Sequence, residues 1–506
     1  MTQTVFTRIL NNFRWLLLAV LVLLAPERFA LAQKAALSDF IMSRGDSTWD
    51  MARRIWELAE PGYQETQSSK LLLEMLKDAD FETQEGVAGM PTAFVAGYGK
   101  GRPVIAILGE FDALPGLSQK DIPWREQREE TSYGHGCGHH LFGAASVAAC
   151  LAIAEQIKAG HLKGTIRFYG CPAEEGGSGK VFMVRAGLFD DVDACLHWHP
   201  GDGNSAGDQT TLARMAVKFR FHGKASHASA SPELGRSALD AVELTNHATQ
   251  LLREHTPDFT RIHHVITSGG DAPNVVPEFA EVYYYVRHPD PETVAGLYTR
   301  LLRCARGAAI ATETELEIAF QGGILNLLPN NTLAQVALAN LAATNDLTYT
   351  PAELEFAARI QDTLSRPEPL RRIEEVANTT GGSSHGSTDV GDVSWVVPTT
   401  GFRTACWVPG TASHSWQATA CGGTSIGKKG MLLAARVLAK TAWDLYSNPN
   451  IIEQAQAERK RRLNGKLYQS LMQERQTPPL DYRNPPSSTN RRPSTTAGNP
   501  SDTKAP

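Results

Sequence analysis

Strand-like and helical runs alternate along most of this chain, and that alternation restricts the fold more than any other feature. The runs 102–110 and 164–170 are apolar and strand-like, and a helical stretch lies between them. Such alternation is typical of an α/β protein with a largely parallel sheet. At 506 residues the chain is also too long for one ordinary core, so we expect two domains and tails.

The pattern changes near Arg214. A run there alternates polar and apolar residues, as a half-exposed strand does, and helices and strands follow in an order that suggests antiparallel pairing. This order predicts a smaller α+β domain inserted at 214–322. The larger domain is then expected in two parts, 33–213 and 323–446.

The first 32 residues have the organisation of a secretory signal peptide. Arg8 and Arg14 precede an apolar run that is short for a membrane span, and Ala30 and Ala32 form a small-residue cleavage site. We therefore expect cleavage after Ala32 and a periplasmic or secreted protein. The alternative is an uncleaved membrane anchor.

Residues 447–506 differ in composition from the rest of the chain. A charged run predicts one exposed helix, and the Pro-, Ser- and Thr-rich run after it predicts a disordered tail. The basic cluster 459–462 is best explained as a solvated helix face. With a net charge of −5 and no basic stripe in the folded region, the chain is not expected to bind nucleic acid. Seven cysteines without a regular spacing argue against a disulfide scaffold.

A glycine-rich run at 134–145 places Cys137 two residues before His139, at the start of a predicted helix. A thiolate and an imidazole at this spacing can both face one cation. His135 and His140 lie in the same run and are further candidates.

Two carboxylates end the apolar strand that begins at residue 102. Glu110 and Asp112 are alternate residues, so they share a face of that strand. The carboxyl ends of strands in an open α/β sheet are where ligands bind. Asp112 could accept the spare N–H of a metal-bound histidine.

Further candidate ligands follow other predicted strands. Glu174 and Glu175 are adjacent, and such carboxylates repel each other unless a positive charge or a shared proton holds them. His197 and His199 share one face of a strand, and His414 follows a later strand. Nitrogen, sulfur and oxygen ligands collected at strand ends indicate zinc or manganese and argue against calcium.

Nine stretches between residues 40 and 445 resemble, in collinear order, the M20 family of metallopeptidases and amidohydrolases. They include LGEFDALPGLSQ, GHGCGH, RFYGCPAEEGGSGKVFMVR and STDVGDVSW. The resemblance implies a zinc-peptidase-like catalytic α/β sandwich domain with an inserted lid domain that also dimerises. It further implies a site with two divalent metal ions, zinc or manganese.

The resemblance also assigns roles to single side chains. It makes Glu174 the general base and makes five residues metal ligands, namely Cys137, His139, Glu175, His199 and His414. His199 is the preferred strand histidine because it stands in the WHP motif, although other branches place the ligand at the position of His197.

Three residues of the predicted lid receive roles in the same way. His227, in the motif GKASHAS, matches a histidine that stabilises the tetrahedral oxyanion, often across a dimer interface. Asn274 and Arg287 match positions near the substrate carboxylate, and an arginine fork suits that task.

The activity implied by the resemblance is metal-dependent cleavage of the amide bond of an N-acyl amino acid, of the p-aminobenzoyl-glutamate kind. The alternatives are a broad-specificity aminoacylase or dipeptidase and a subunit that needs a homologous partner. We expect a homodimer or a heteromer formed through the lid.

Overall fold

The computed structural model describes residues 32–484, so the predicted signal peptide up to residue 31 and the tail from residue 485 lie outside the described residues. The helices are α1 (32–43), α2 (Gly45–Leu58), α3 (Thr66–Lys77), α4 (His139–Lys158), α5 (Gly179–Arg185), α6 (Ala238–Arg253), α7 (Pro291–Thr312), α8 (Asn331–Thr344), α9 (Pro351–Gln361), α10 (Val390–Val396), α11 (Trp416–Gly422), α12 (Ser425–Ser447) and α13 (Pro449–Leu463). The strands are β1 (Glu82–Glu85), β2 (Phe94–Lys100), β3 (Val104–Glu110), β4 (Leu114–Pro115), β5 (Tyr133–Gly134), β6 (Gly164–Cys171), β7 (Ala194–Gly201), β8 (Asn204–Ala206), β9 (Ala213–His222), β10 (Arg261–Ser268), β11 (Phe279–His288), β12 (Glu315–Ile324), β13 (Val376–Asn378) and β14 (Thr399–Ala405).

The larger sheet has eight strands in the order β1-β2-β6-β3-β7-β14-β8-β13. Its centre is parallel, because β3 pairs in parallel with β6 and β7, and β7 pairs in parallel with β14. At one end of the sheet, the edge strand β1 and its neighbour β2 run antiparallel to the strands they pair with. The predicted α/β class with a largely parallel sheet is confirmed.

The core of this layer forms between the sheet and the helices packed on it, of which α4 is apolar around its whole circumference. Every residue of β3 is buried, as expected of a central parallel strand. Helix α4 is buried from His139 to Ala154 and packs against both the sheet and α12, which also contacts the sheet. Among the described residues, α4 is the one helix long and apolar enough to cross a membrane, and 89% of its most apolar window is buried inside the protein. That burial is typical of a core helix.

The smaller sheet has four antiparallel strands in the order β10-β11-β9-β12, and α6 and α7 pack against it. The helices begin at capped positions: Ser237 accepts the N–H of Asp240, and Asp290 accepts the N–H of Thr293. This layer occupies the range where the sequence predicted an inserted α+β domain, and the domain boundaries themselves stay a prediction.

The C-terminal part differs from the sequence prediction of a long exposed helix followed by disorder. Helix α13 ends at Leu463, and residues 464–484, here called the C-terminal strap, return across both layers. Met472 is 7% exposed, and its sulfur accepts the N–H of Gly323 at 3.4 Å. Tyr482 packs edge-on against Tyr63 with 5.8 Å between ring centroids. Composition misled the prediction because a few well-placed anchors suffice to hold a polar segment.

Candidate metal centre

The predicted site residues follow the central parallel strands. Glu110 ends β3, the paired glutamates follow β6, and His199 lies near the end of β7. His414 follows β14. Because these four strands are parallel, their carboxyl ends lie at one edge of the sheet, where α/β proteins bind ligands.

The five side chains that the sequence predicted as metal ligands come together at this edge, in two groups of three. Within each group the ligand atoms lie within 4.8 Å of one another, and Cys137 belongs to both. The Cys137 sulfur lies 3.3 Å from His199 Nε2, and His414 Nε2 lies 2.9 Å from Glu175 Oε1. The first group is completed by His139. A thiolate shared by two ligand groups is an arrangement that can hold two adjacent metal ions.

His199, and not His197, belongs to these groups. The His197 ring packs against Gly401 of β14, where an added Cβ would come within 2.2 Å of the ring. Its Nε2 atom is buried and has no hydrogen-bond partner among the described residues. Burial lowers the pKa of His197 to about 3, so the ring is neutral.

Asp112 contacts two members of the cluster, His139 and Glu175, and holds them in position. One of its carboxylate oxygens accepts a hydrogen bond from His139 Nδ1 at 2.8 Å, and the other accepts the backbone N–H of Glu175 at 2.9 Å. Burial alone would raise the pKa of Asp112, but the charge and hydrogen bond of His139 outweigh it and lower the pKa to about 2. Asp112 therefore stays ionised, and it fixes the His139 ring with Nε2 toward the cluster.

The adjacent glutamates meet different surroundings. Withdrawal from water raises the pKa of Glu174 well above its ordinary value, and the negative charges of Glu110 and Glu175 raise it further. Withdrawal from water also acts on Glu175, but the hydrogen bond and charge of His414 outweigh it and lower the pKa. Glu175 is thus held in its anionic form, whereas Glu174 binds a proton more readily than an ordinary glutamate does.

A buried lysine lies behind the cluster, and sequence reasoning missed it. The ammonium of Lys180 lies 2.6 Å from a carboxylate oxygen of Glu110 and 2.7 Å from one of Asp389, and its side chain is fully buried. Asp389 also accepts the backbone N–H of Lys180, which ties the start of α5 to the start of α10. Lys180 and Asp389 both lie in the family motifs quoted above, but nothing in the sequence shows that these two motifs are in contact.

The other two candidate histidines do not join the cluster. His135 Nε2 contacts the carbonyl of Ile55 at 3.1 Å, and His140 Nε2 contacts the carbonyl of Gly422 at 3.0 Å. Burial lowers the pKa of His135 to about 3 and that of His140 well below its usual range. Both are neutral rings that hold neighbouring elements together.

A cavity of about 640 Å³ opens beside the cluster, and Arg287 lines it together with Glu174 and Glu175. His227 and Asn274 do not line this cavity. They are exposed and lie side by side, since His227 bridges to Val275 and Asn274 accepts the N–H of Ala228. Within one chain, therefore, Arg287 lies at the cavity beside the cluster, whereas His227 and Asn274 do not.

The donors fit a pair of divalent ions. They comprise one sulfur, three imidazoles and a carboxylate, which suit zinc or manganese. His139 Nε2 is buried and lies 3.1 Å from Glu110 Oε2, but it makes no hydrogen bond of good geometry to any of the described residues. Since Asp112 already holds the opposite nitrogen of His139, the ring can present Nε2 to a metal ion.

Comparison with known proteins agrees with this interpretation of the site. Residues 106–442 match the peptidase family M20/M25/M40. The chain is 40% identical over 437 residues to a p-aminobenzoyl-glutamate hydrolase subunit of Escherichia coli K12, covering 81% of this chain and 91% of that protein. It is 30% identical to the Xaa-Arg dipeptidase of Mus musculus, covering 82% and 89% of the two chains.

A solved structure shares the fold. A dinuclear metal-binding peptidase of the M20 family from Bacillus subtilis superposes with a TM-score of 0.55 at 18% identity, covering 80% of this chain and 99% of that one. The resemblance drawn from the motifs is confirmed by the family match. The chain belongs to the peptidase family M20/M25/M40 and is a hydrolase of amide bonds.

Proposed function

We propose that this protein is a metal-dependent amidohydrolase that cleaves N-acyl amino acids of the p-aminobenzoyl-glutamate kind. The observation that carries the proposal is the pair of ligand groups sharing Cys137, with Glu174 beside them, at a cavity that also contains Arg287. The similarity to a p-aminobenzoyl-glutamate hydrolase subunit of Escherichia coli supports this choice of substrate.

Two divalent ions, zinc or manganese, are the proposed cofactors. Cys137, His139 and His199 would hold one ion, and Cys137, Glu175 and His414 would hold the other. Metal ions in such a site lower the pKa of bound water and polarise a carbonyl group.

The protein's own groups would move the proton and hold the substrate. Glu174, with its raised pKa, would take a proton from the attacking water and return it to the leaving nitrogen. Arg287 would pair with the carboxylate of the amino acid through its planar fork. Asp112 would keep the His139 ring in position while charge develops nearby.

His227 is proposed to act from a second protomer. It is exposed and lies outside the cavity of its own chain, so a neighbouring lid would have to bring it to the oxyanion. The partner is either a second copy or a homologous chain. The Escherichia coli relatives, which include two different p-aminobenzoyl-glutamate hydrolase subunits, support the latter.

The second candidate function is a dipeptidase, because the Xaa-Arg dipeptidases match over most of their length. A substrate panel separates the two. The purified full chain, supplied with Mn²⁺ or Zn²⁺, should release glutamate from p-aminobenzoyl-glutamate faster than arginine from dipeptides. The reverse preference would favour the dipeptidase.

Export through a signal peptide is part of the proposal. The charged start, apolar run and small-residue site at Ala30 and Ala32 support it. Amino-terminal sequencing of the mature protein should begin at Gln33. A mature protein that begins at Met1 would contradict the proposal.

A further inference from the structure

Two arginines of the smaller sheet face each other beside the metal cluster. Arg214 on β9 and Arg287 on β11 are direct cross-strand partners. Their guanidinium carbons lie 4.7 and 5.4 Å from the ring centroid of Tyr285, respectively. Like charges directly opposite on neighbouring strands are destabilising, so this pair needs a compensating anion.

The C-terminal strap adds an arginine to the same cavity, which the exposed Arg403 of β14 also lines. The Arg483 side chain lines the cavity with Arg214 and Arg287. Its guanidinium and the Tyr482 hydroxyl both donate to the backbone carbonyl of Glu175, which fixes the end of the strap beside the cluster. Arg483 lies beyond residues 106–442, the part of the chain that matches the family.

Hydrogen bonds at several other points hold the strap in place and so fix the position of Arg483 beside the cavity. Arg185 on α5 donates to the carbonyls of Glu474 and Gln476. The Tyr468 hydroxyl donates to Asp392 at 2.9 Å, and Gln64 donates to Asn484 at 2.8 Å.

None of the three arginines forms an ion pair with a carboxylate within the described part of the chain. The Nε atoms of Arg214, Arg287 and Arg483 are all buried without a hydrogen-bond partner there. Elsewhere the chain pairs its arginines directly, as in the two-point contact of Arg436 with Asp346 at 2.6 and 2.8 Å. Arg214 is buried, and Arg287 and Arg483 are half-buried. Charged groups withdrawn from water without a counter-charge are costly, which indicates that these three await an anionic ligand.

We propose that Arg214 and Arg483 form a second carboxylate subsite beside Arg287, which selects N-acyl derivatives of dicarboxylic amino acids. The inference rests on the proposed function and assigns its specificity to this chain's strap. Arg287 would hold the α-carboxylate, and the other two would hold the side-chain carboxylate. Guanidinium forks suit both contacts because each can bind a carboxylate at two points.

The test compares two ligands that differ by one charge, N-benzoyl-L-glutamate and N-benzoyl-L-glutamine. Binding is measured by calorimetry on the metal-loaded full chain carrying Glu174→Gln, which prevents turnover. We expect the glutamate compound to bind about 10- to 100-fold more tightly, as one charge-assisted contact allows. Adding Arg483→Gln should remove most of that preference and leave the affinity for the glutamine compound nearly unchanged.

Two further variants separate a binding role from a structural one. Arg483→Lys keeps the charge without the fork and should restore part of the preference. Arg475→Gln removes a charge from an exposed residue of the same strap and should keep the full preference. A strap that merely stabilised the fold would change the affinity for both ligands equally.

The outcomes distinguish this inference from the proposed function. Equal affinity for the two compounds, no binding of either, or a preference that survives Arg483→Gln would overturn the inference. Wild-type hydrolysis of both compounds at equal rates would also overturn it but leave the proposed amidohydrolase standing. An Arg483-dependent preference in a chain that hydrolyses no amide would uphold the subsite and refute the proposed function.

Discussion

Glu174 and Glu175 are chemically identical neighbours whose environments differ at the level of single atoms. Glu175 faces His414 at 2.9 Å and offers its backbone N–H to Asp112. Glu174 lies instead near Glu110 and His139, and the negative charge of Glu110 helps raise its pKa. The proposed roles of Glu175 as a metal ligand and of Glu174 as the general base rest on these contacts.

Substitution of the two glutamates should therefore have different effects. Glu174→Gln should leave the metal content unchanged and lower kcat by about 100- to 10,000-fold, because the proton acceptor is lost. Glu175→Gln should lower the metal content itself. Metal analysis and kinetics on both variants check this, and a Glu174→Gln protein with near-normal kcat would refute the assignment.

The two histidines of β7 provide a second residue-level prediction. His199→Ala should reduce metal affinity, since its Nε2 lies 3.3 Å from the Cys137 sulfur. His197→Ala is the matched control on the same face of the same strand, and it should keep the metal. Metal titration of both variants measures the difference. Loss of metal in the His197 variant alone would show that His197, and not His199, is the ligand.

At this scale the sequence identifies residues that cluster at the site, but not the side chains that hold them in place. Cys137 and His139 are close in sequence, so local spacing indicates their joint role. Lys180 and Asp389 meet only because α5 and α10 pack together, and no local pattern encodes that contact. The same holds for Arg483, which only the path of the strap brings to the cavity.

At the scale of elements, the parallel strands explain why the site forms where it does. The sequence predicted β3 from its apolar run and β9 from its alternation of polar and apolar residues. A strand buried on both faces is apolar throughout, whereas a strand buried on one face alternates. The strap could not be predicted in this way. Its anchors Tyr468, Met472 and Tyr482 are too widely spaced to form a periodic pattern.

The contact between the strap and α10 predicts a pH dependence of stability. Asp392 is buried and accepts hydrogen bonds from Leu325 N–H and the Tyr468 hydroxyl. Burial raises its pKa from 3.8 to about 7. The folded protein therefore holds this proton more tightly than the unfolded chain, so the contribution to stability is full below about pH 4 and is lost as the pH rises toward 7.

Asp392→Asn should remove that dependence. The variant should gain unfolding free energy relative to the wild type as the pH rises from 4 to 7, by up to about 1.4 kcal/mol per pH unit. Denaturant unfolding of both proteins at pH 5 and pH 8 measures the difference. A constant gap between the two proteins across this range would show that Asp392 does not titrate there.

For the whole molecule, the exposed position of His227 raises the question of whether one chain makes a complete site. If His227 acts in trans, inactive Glu174→Gln and His227→Ala chains should complement each other. Mixed and re-equilibrated in equal amounts, they should recover about a quarter of wild-type activity, because half of the dimers are mixed and each contains one intact site. No recovery after the protomers have exchanged would contradict action in trans within a homodimer.

Catalysis by this protein, as proposed, depends on two metal ions bound where the ligand groups share Cys137. The most direct measurement is titration of the chelator-treated full chain with Mn²⁺ or Zn²⁺ while hydrolysis of p-aminobenzoyl-glutamate is followed. We expect no turnover without metal and recovery that saturates near two ions per chain, which is about the number that two ligand groups can hold. Full turnover in the metal-free protein, or metal binding that leaves the chain inactive on every amide, would contradict the proposal.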